Sequence, residues 1–209
     1  MPSVKVVSQS DARPWHLQEL LPSNGRWRVL VFTGNISEPE QRRKLDIVGA
    51  AMADKASFLR RFTPPGAPID TVFEILAVHS APRGTTTIFD FPEAFRPFDE
   101  VDGWDYSKIY VDEESYHEGH GQIYKTFDIS EQGCVVIIRP DQYVSYVGPM
   151  DDVDAINRFF SGFMLPTSTS NGANGETSVT KPTPTTNGLE MHSNVDGVKA
   201  ATVTAATAM

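Results

Sequence analysis

The chain has 209 residues, a length that favours one domain with room for an extension. Its net charge of −9 argues against a nucleic-acid partner, which would need a basic surface. No apolar run reaches the roughly 18 residues of a membrane span, and no apolar segment follows the N-terminus as in a secretory signal. We therefore expect no membrane partner and a cytoplasmic location. The single cysteine, Cys134, excludes an internal disulfide and a cysteine-based zinc site.

The averages hide two different parts of the chain. Residues 166–209 contain no Trp, Tyr or Phe, and Thr, Ser, Asn, Gly and Pro fill 25 of these 44 positions. Such a segment cannot bury enough apolar surface to offset its chain entropy. We predict a folded body over residues 1–165 and a low-complexity, disordered tail over 166–209. The acidity of the body is local, since residues 90–118 hold ten acidic residues and two basic ones.

The first half of the body predicts strands around one long helix. Residues 4–7 favour a strand, and Trp15 to Leu21 a helical turn. The β-branched and aromatic run 27–33 predicts a buried strand, which Gly34 and Asn35 end. Ser37 with Glu40 resembles a capping box, and apolar residues spaced by three and four predict one helix over 37–62. Residues 69–79 predict the next strand.

The second half begins with a long connection, residues 80–103, and continues with regular elements. An extra strand is possible over 104–111, and Ser115 is the expected N-cap of a helix over 116–127. Residues 134–139 and 142–147 predict a hairpin. Asp151 is the expected cap of a last helix with its apolar stripe at Val153, Ile156, Phe160 and Phe163.

This order is β-α-β, a long insert, then α-β-β-α, which predicts a mixed sheet flanked by helices with a thioredoxin-like fold. Thioredoxin-like redox enzymes carry Cys-x-x-Cys after the first core strand, where this chain reads Thr33-Gly34-Asn35-Ile36-Ser37 without sulfur. The position of their cis-proline reads Glu131-Gln132-Gly133. Thiol–disulfide exchange needs two thiols, so dithiol chemistry is excluded and Cys134 is interpreted as structural.

Two clusters could carry other chemistry. His117, Glu118 and His120 form a metal-like group, although solvated side chains or a helix cap explain them as well. Acid pairs also occur between residues 99 and 118, and an exposed acidic loop explains them better than acid–base catalysis. These acids are Asp99, Glu100, Asp112, Glu113 and Glu114. No Gly-x-Gly-x-x-Gly stretch occurs.

Four ordered blocks resemble the C-terminal domain of phenol 2-monooxygenases, which are FAD-dependent aromatic hydroxylases. The blocks are Asp11–Leu21, Asn24–Arg28, Glu114–Gly121 and Arg139–Val144, and the resemblance spans about residues 3–165. The Arg-Pro-Asp-x-Tyr stretch is the most specific of them, since it is shared widely among flavin-dependent aromatic hydroxylases.

The resemblance implies a thioredoxin-like domain without thiol redox function that contributes to homodimer contacts. In the family, FAD, NADPH and phenol bind to other domains. No catalytic, cofactor-binding or metal residue is therefore carried over to this chain. The expected partner is a second copy or a flavin-binding monooxygenase subunit.

The family-signature turn consists of Arg139, Pro140, Asp141, Gln142 and Tyr143. Pro140 fixes a backbone angle, Asp141 can accept backbone N–H groups, and Arg139 can pair with a carboxylate. A structural role for this turn is preferred, with a ligand contact as the alternative.

Three functions remain open at this point. The first is a non-catalytic dimerisation module, either free-standing or encoded by a split gene. The second is part of a split or truncated FAD- and NADPH-dependent phenol monooxygenase that is active only with a flavin domain. The third is a small-molecule binder that uses a cleft near Gly34, Asn35 and the 80–103 insert.

Overall fold

A computed structural model describes residues 4–116 and 121–167 of the chain. These residues form nine strands and four α-helices. The strands are Lys5–Ser8 (β1), Pro14–His16 (β2), Trp27–Gly34 (β3), Phe73–His79 (β4), Phe98–Asp99 (β5), Gly103–Trp104 (β6), Ile109–Val111 (β7), Cys134–Ile138 (β8) and Val144–Pro149 (β9). The helices are Pro39–Ala53 (α1), Phe58–Arg61 (α2), Ile123–Thr126 (α3) and Val153–Ser161 (α4).

Seven of the strands form one mixed sheet in the order β2-β1-β7-β4-β3-β8-β9. The central strand β3 runs parallel to β4 and antiparallel to β8, and β8 pairs with β9 as an antiparallel hairpin. A β-α-β unit followed by a β-hairpin and a helix is the thioredoxin-like arrangement, so the predicted fold is confirmed. β5 and β6 form a separate two-stranded hairpin.

Apolar layers cover both faces of the sheet, which explains why β3 is a continuous hydrophobic run. On one face, Val29 and Val31 pack under α1, α2, α4 and the segment around Phe91. On the other face, Leu30 and Phe32 pack under the N-terminal residues and α3. The two side-chain sets of β3 therefore serve two separate cores.

The predicted long helix is broken into α1 and α2. Asp54 accepts the Ala56 N–H at 2.7 Å, and the Ser57 hydroxyl donates to the Met52 carbonyl at 2.8 Å. Such local side-chain bonds offer the backbone an alternative to the helix, and Ser57 then caps α2. The expected capping box is also wrong, because α1 has Glu38 at its N-cap and the Ser37 hydroxyl lies 2.9 Å from that of Thr85.

Of the helix predicted over 116–127, residues 117–120 lie outside the described residues, and the part that is described as helical is the four-residue α3. The Asp112 carboxylate caps this turn by accepting the N–H groups of Ile123 at 2.8 Å and Tyr124 at 3.2 Å. The cap expected at Ser115 would act on the residues that are not described, so it stays a prediction. Gln122 precedes the turn with a left-handed φ of 66°. A carboxylate eleven residues before Ile123 therefore caps α3.

Smaller differences concern the ends of other elements. The possible strand over 104–111 divides into β6 and β7, and the strand predicted over 69–79 begins at Phe73. Asp152, and not Asp151, caps α4 by accepting the Ala155 N–H at 2.9 Å. Phe163 lies beyond the end of α4 and still contacts the Trp27 ring, at 5.3 Å between centroids.

Three charged side chains, from β3, β4 and the residue before β7, meet inside the molecule. Arg28, Glu74 and Lys108 are all buried. The Arg28 Nε atom lies 2.5 Å from a Glu74 carboxylate oxygen, and Lys108 pairs with the same carboxylate. Arg28 also donates to the carbonyls of Arg26 and Pro22 at 3.0 Å. These partners compensate the cost of burying the charges.

The described part of the chain ends at Thr167, whose N–H donates to the Arg61 carbonyl at 3.0 Å. The tail predicted over 166–209 lies almost entirely outside the described residues, so its disorder stays a prediction. Within the described ranges, the structure contains no helix that is long and apolar enough to cross a membrane.

Candidate functional site: the β3–α1 loop and the β9 edge

The loop between β3 and α1 lies where thioredoxin-like redox enzymes carry their cysteines. Gly34 begins the loop with a φ of 68°, a backbone conformation that favours glycine. A side chain at this position would overlap the Glu131 carbonyl oxygen. Asn35 accepts the Ser37 N–H at 3.1 Å and stabilises the turn, while Ile36 is buried. The loop is therefore held by backbone packing and local hydrogen bonds.

Two polar side chains close this loop from the inside. The Tyr124 hydroxyl accepts the Gly34 N–H at 2.8 Å and donates to the Val78 carbonyl at 2.7 Å. The Gln41 amide donates to the carbonyls of Thr33 at 2.7 Å and Gln132 at 3.0 Å. Burial raises the pKa of Tyr124 above its ordinary value, so the hydroxyl stays protonated and can donate.

The segment before β8 packs directly against the loop. Gly133 has a φ of 81°, and a side chain there would overlap the Phe32 carbonyl oxygen. Glu131 accepts the Ser80 hydroxyl at 2.9 Å. The space beside the loop is therefore filled by main chain, Gln41 and Tyr124.

Cys134, the single cysteine, opens β8 and is half-buried. Burial raises the pKa of its thiol to about 11. The thiolate is the reactive form of cysteine, so this thiol is poorly suited to nucleophilic or redox chemistry near neutral pH.

His79 is a second buried titratable group, and it pairs with Gly34 in the β3–β4 register. It ends β4, and its Nε2 atom lies 3.0 Å from the Gln9 side-chain oxygen. The Gln9 amide in turn donates to the Thr86 carbonyl at 2.5 Å. Burial lowers the pKa of His79 to about 4, so the ring is neutral at physiological pH. The three residues connect the N-terminus, β4 and the insert.

Two of the five acidic residues singled out in the sequence act as a turn residue and a helix cap. Asp99 accepts the N–H groups of Val101 and Asp102 in the tight turn between β5 and β6, and Asp112 caps α3. Glu113 lies 3.9 Å from Arg83. Glu100 and Glu114 are exposed.

The proposed metal-like group His117, Glu118 and His120 lies outside the described residues. Among the residues that are described, no three His, Cys, Asp or Glu side chains are placed to hold a metal ion.

The signature turn joins β8 to β9. Arg139 and Asp141 form an exposed ion pair at 2.6 Å, and Asp141 accepts the Tyr143 N–H at 3.4 Å. Gln142 adopts a left-handed φ of 70° and donates to the Leu21 carbonyl at 2.7 Å. The Pro140 carbonyl accepts the Ser23 hydroxyl at 2.7 Å. The turn is thus bound to the segment before β3.

Two open clefts of about 500 and 540 Å³ lie beside the β5–β6 hairpin. Both share Pro68, Ile69, Pro97, Phe98 and Trp104 in their walls. Neither cleft includes Gly34 or Asn35. Neither of these two clefts is therefore the one predicted between that loop and the insert; both lie between the insert and the segment before β4.

The hairpin strand β9 is more exposed than its sequence suggested. It forms one end of the seven-stranded sheet and pairs with β8 alone among the described strands. Tyr143 is 71%, Val144 43% and Val147 62% exposed. An apolar groove of about 330 Å³ adjoins these valines, with Phe127 and Ile129 in its wall. We call β9 with this groove the β9 edge.

Comparison with known proteins identifies relatives of the whole described body. Residues 1–168 match the family described as phenol hydroxylase, C-terminal dimerisation domain. The chain is 36% identical to the FAD-dependent monooxygenase terD of Aspergillus terreus over 83% of this chain and 28% of the relative. It is 35% identical to the phenol 2-monooxygenase fsqG of Aspergillus fumigatus over 78% of this chain and 26% of the relative.

One similar solved structure is that of a secreted disulfide oxidoreductase of Mycobacterium tuberculosis. It shares 13% identity with this chain, covers 77% of this chain and 96% of its own, and has a TM-score of 0.44. The sequence matches are much stronger than this structural one and extend over nearly the whole described body. The chain therefore belongs to the family of phenol hydroxylase C-terminal dimerisation domains.

Proposed function

We propose that this domain holds two subunits of an FAD-dependent aromatic monooxygenase together and takes no part in the chemistry itself. The match to a dimerisation domain supports the first part of this proposal, and the closed β3–α1 loop supports the second. The Gly34 N–H is already bonded to the Tyr124 hydroxyl, so it is not available to a ligand. We also propose that the protein is cytoplasmic, as expected from the sequence.

The residues at the strand-to-helix turn do not fit a flavin nucleotide. Dinucleotide sites place a pyrophosphate against free backbone N–H groups at a helix N-terminus. Here the N-terminal end of α1 carries Glu38, Pro39 and Glu40, so it offers two carboxylates and a residue without an N–H. The main-chain oxygen of Glu131 also covers Gly34. We infer that FAD and NADPH bind to other parts of the enzyme.

Two measurements on the purified full chain test this function. Light scattering is expected to show a dimer at micromolar concentrations, and a monomer would remove the dimerisation role. Absorbance spectra are expected to show no flavin band retained after added FAD is removed by gel filtration. Stoichiometric flavin with NADPH oxidation would overturn the non-catalytic role.

A second candidate function follows from the length of the relatives. The chain spans 28% and 26% of two FAD-dependent and phenol monooxygenases. In this second candidate function, the chain associates with a separate flavin-binding domain and the two together form an active monooxygenase. The test adds this chain to the flavin-binding part of such a relative and measures phenol-dependent NADPH oxidation. No increase over the flavin part alone would exclude this candidate.

A further inference from the structure

We propose that two copies of this chain associate through antiparallel pairing of their β9 strands, so that Val144 and Val147 of each copy cover the apolar groove of the other. This inference rests on the proposed dimerisation function and names the surface that performs it. The pairing would join the two seven-stranded sheets edge to edge.

The first argument is the unprotected backbone of β9. An end strand offers a row of unpaired N–H and C=O groups, and proteins usually protect such strands with charges, short length or proline. β9 is six residues long, its proline is confined to the last position, Pro149, and no charged residue occurs from Gln142 to Met150. The opposite end of the sheet, β2, is three residues long, begins with Pro14, and has Arg13 stacked 4.6 Å from the Trp15 ring.

The second argument is the position of the exposed valines. Val144 pairs with Ile138 and Val147 with Val136, so both valines lie on the sheet face that carries the Leu30 and Phe32 core. A register shift between Ile137 and Ile138 brings them to one face although they are three residues apart. They therefore form a continuous apolar strip beside the groove.

The third argument is charge. The chain carries a net charge of −9, so self-association is opposed wherever acidic surfaces meet. The β9 strip is neutral, so pairing along this strand brings no like charges together. The groove beside it has one acidic residue in its wall, Asp128. An exposed strand edge also suits a two-fold dimer, because antiparallel pairing of two identical strands brings the same surface of both copies together.

A competing apolar patch lies at the β5–β6 hairpin, where Val101 is 90% exposed. Asp99, Glu100 and Asp102 surround it. Two copies meeting at this hairpin would oppose three carboxylates on each side. The hairpin is thus a poor surface for self-association, and Val101 provides a matched control for the β9 valines.

The first experiment compares dissociation constants by analytical ultracentrifugation of the full chain. Val147→Lys is expected to weaken the dimer by on the order of 100-fold or more, because two lysines would meet at the new strand pair. Val101→Lys adds the same charge at an exposed valine and is expected to leave the constant unchanged. A dimer unaffected by Val147→Lys would overturn the β9 proposal while leaving the dimerisation function in place.

The second experiment avoids a disruptive change. In a Cys134→Ala background, Val147→Cys is expected to cross-link into covalent dimers with a short bismaleimide, whereas Val101→Cys is not. Absence of cross-linking at position 147 in a dimeric protein overturns the proposal. If both lysine variants dissociate, this cross-linking result decides between the two surfaces. A monomeric wild-type chain would overturn the dimerisation function and the proposed surface together.

Discussion

Replacing Tyr124 by phenylalanine tests whether the closed β3–α1 loop is a structural feature. The hydroxyl satisfies two buried backbone groups, the Gly34 N–H at 2.8 Å and the Val78 carbonyl at 2.7 Å. A buried polar group left without a partner costs about 1–3 kcal/mol, so leaving both groups unpaired should lower the free energy of unfolding by about 2–6 kcal/mol. With a urea m-value of about 2 kcal/mol/M, the midpoint should fall by about 1–3 M.

Tyr110 provides the matched control. It is buried to the same extent, and its hydroxyl donates only to the Ser107 carbonyl, at 2.6 Å. Tyr110→Phe removes the same oxygen atom and should cost only about 0.5–1.5 kcal/mol. Urea unfolding followed by circular dichroism gives both values. Equal losses in the two variants would refute the idea that Tyr124 closes the loop.

Three further predictions concern the same region. Gly34→Ala should destabilise the domain by at least about 2 kcal/mol more than Gly66→Ala in urea unfolding. Both glycines have positive φ, but only Gly34 faces the Glu131 carbonyl; equal costs would mean that this carbonyl moves aside freely. For His79, with a folded pKa of about 4, the unfolded chain binds a proton below about pH 6.5 and the folded chain does not. Stability should therefore fall as the pH drops from 6.5 to 4, and His79→Gln should flatten this slope; a parallel slope would contradict the assignment. Cys134, with a pKa of about 11, should react with iodoacetamide at pH 8 on the order of 100-fold more slowly than free cysteine, and a rate near that of free cysteine would show an exposed thiol.

The sheet could be predicted from the sequence because its central strands are unusual. β3, β4 and β8 are buried on both faces, and such strands must be continuous apolar runs. The break within the helix predicted over 37–62 could not be predicted from the sequence. Its apolar spacing continues across the break, and only the local hydrogen bonds of Asp54 and Ser57 end the first helix.

The sequence predicts which chemical groups the candidate site lacks, but not which side chains contact it. The sequence shows that the β3–α1 loop lacks sulfur, but Tyr124 lies 90 residues from Gly34, and no local pattern indicates their contact. The exposure of Val147 depends on β9 being the last strand of the sheet, which is a property of strand order. The buried ion pairs could not be predicted because Arg28 and Glu74 lie in separate apolar runs that are distant in sequence.

The Arg28–Glu74–Lys108 cluster has a consequence for how the sheet is assembled. Arg28 faces Glu74 in the β3–β4 register, on the face of Leu30 and Phe32. A slip of one residue between these strands would turn Arg28 into the opposite layer, among the aromatic rings beneath α1 and α4. An unpaired buried charge costs several kcal/mol, so misaligned forms of the sheet are strongly disfavoured. The cluster thereby selects one alignment of two strands that are otherwise almost uniformly hydrophobic.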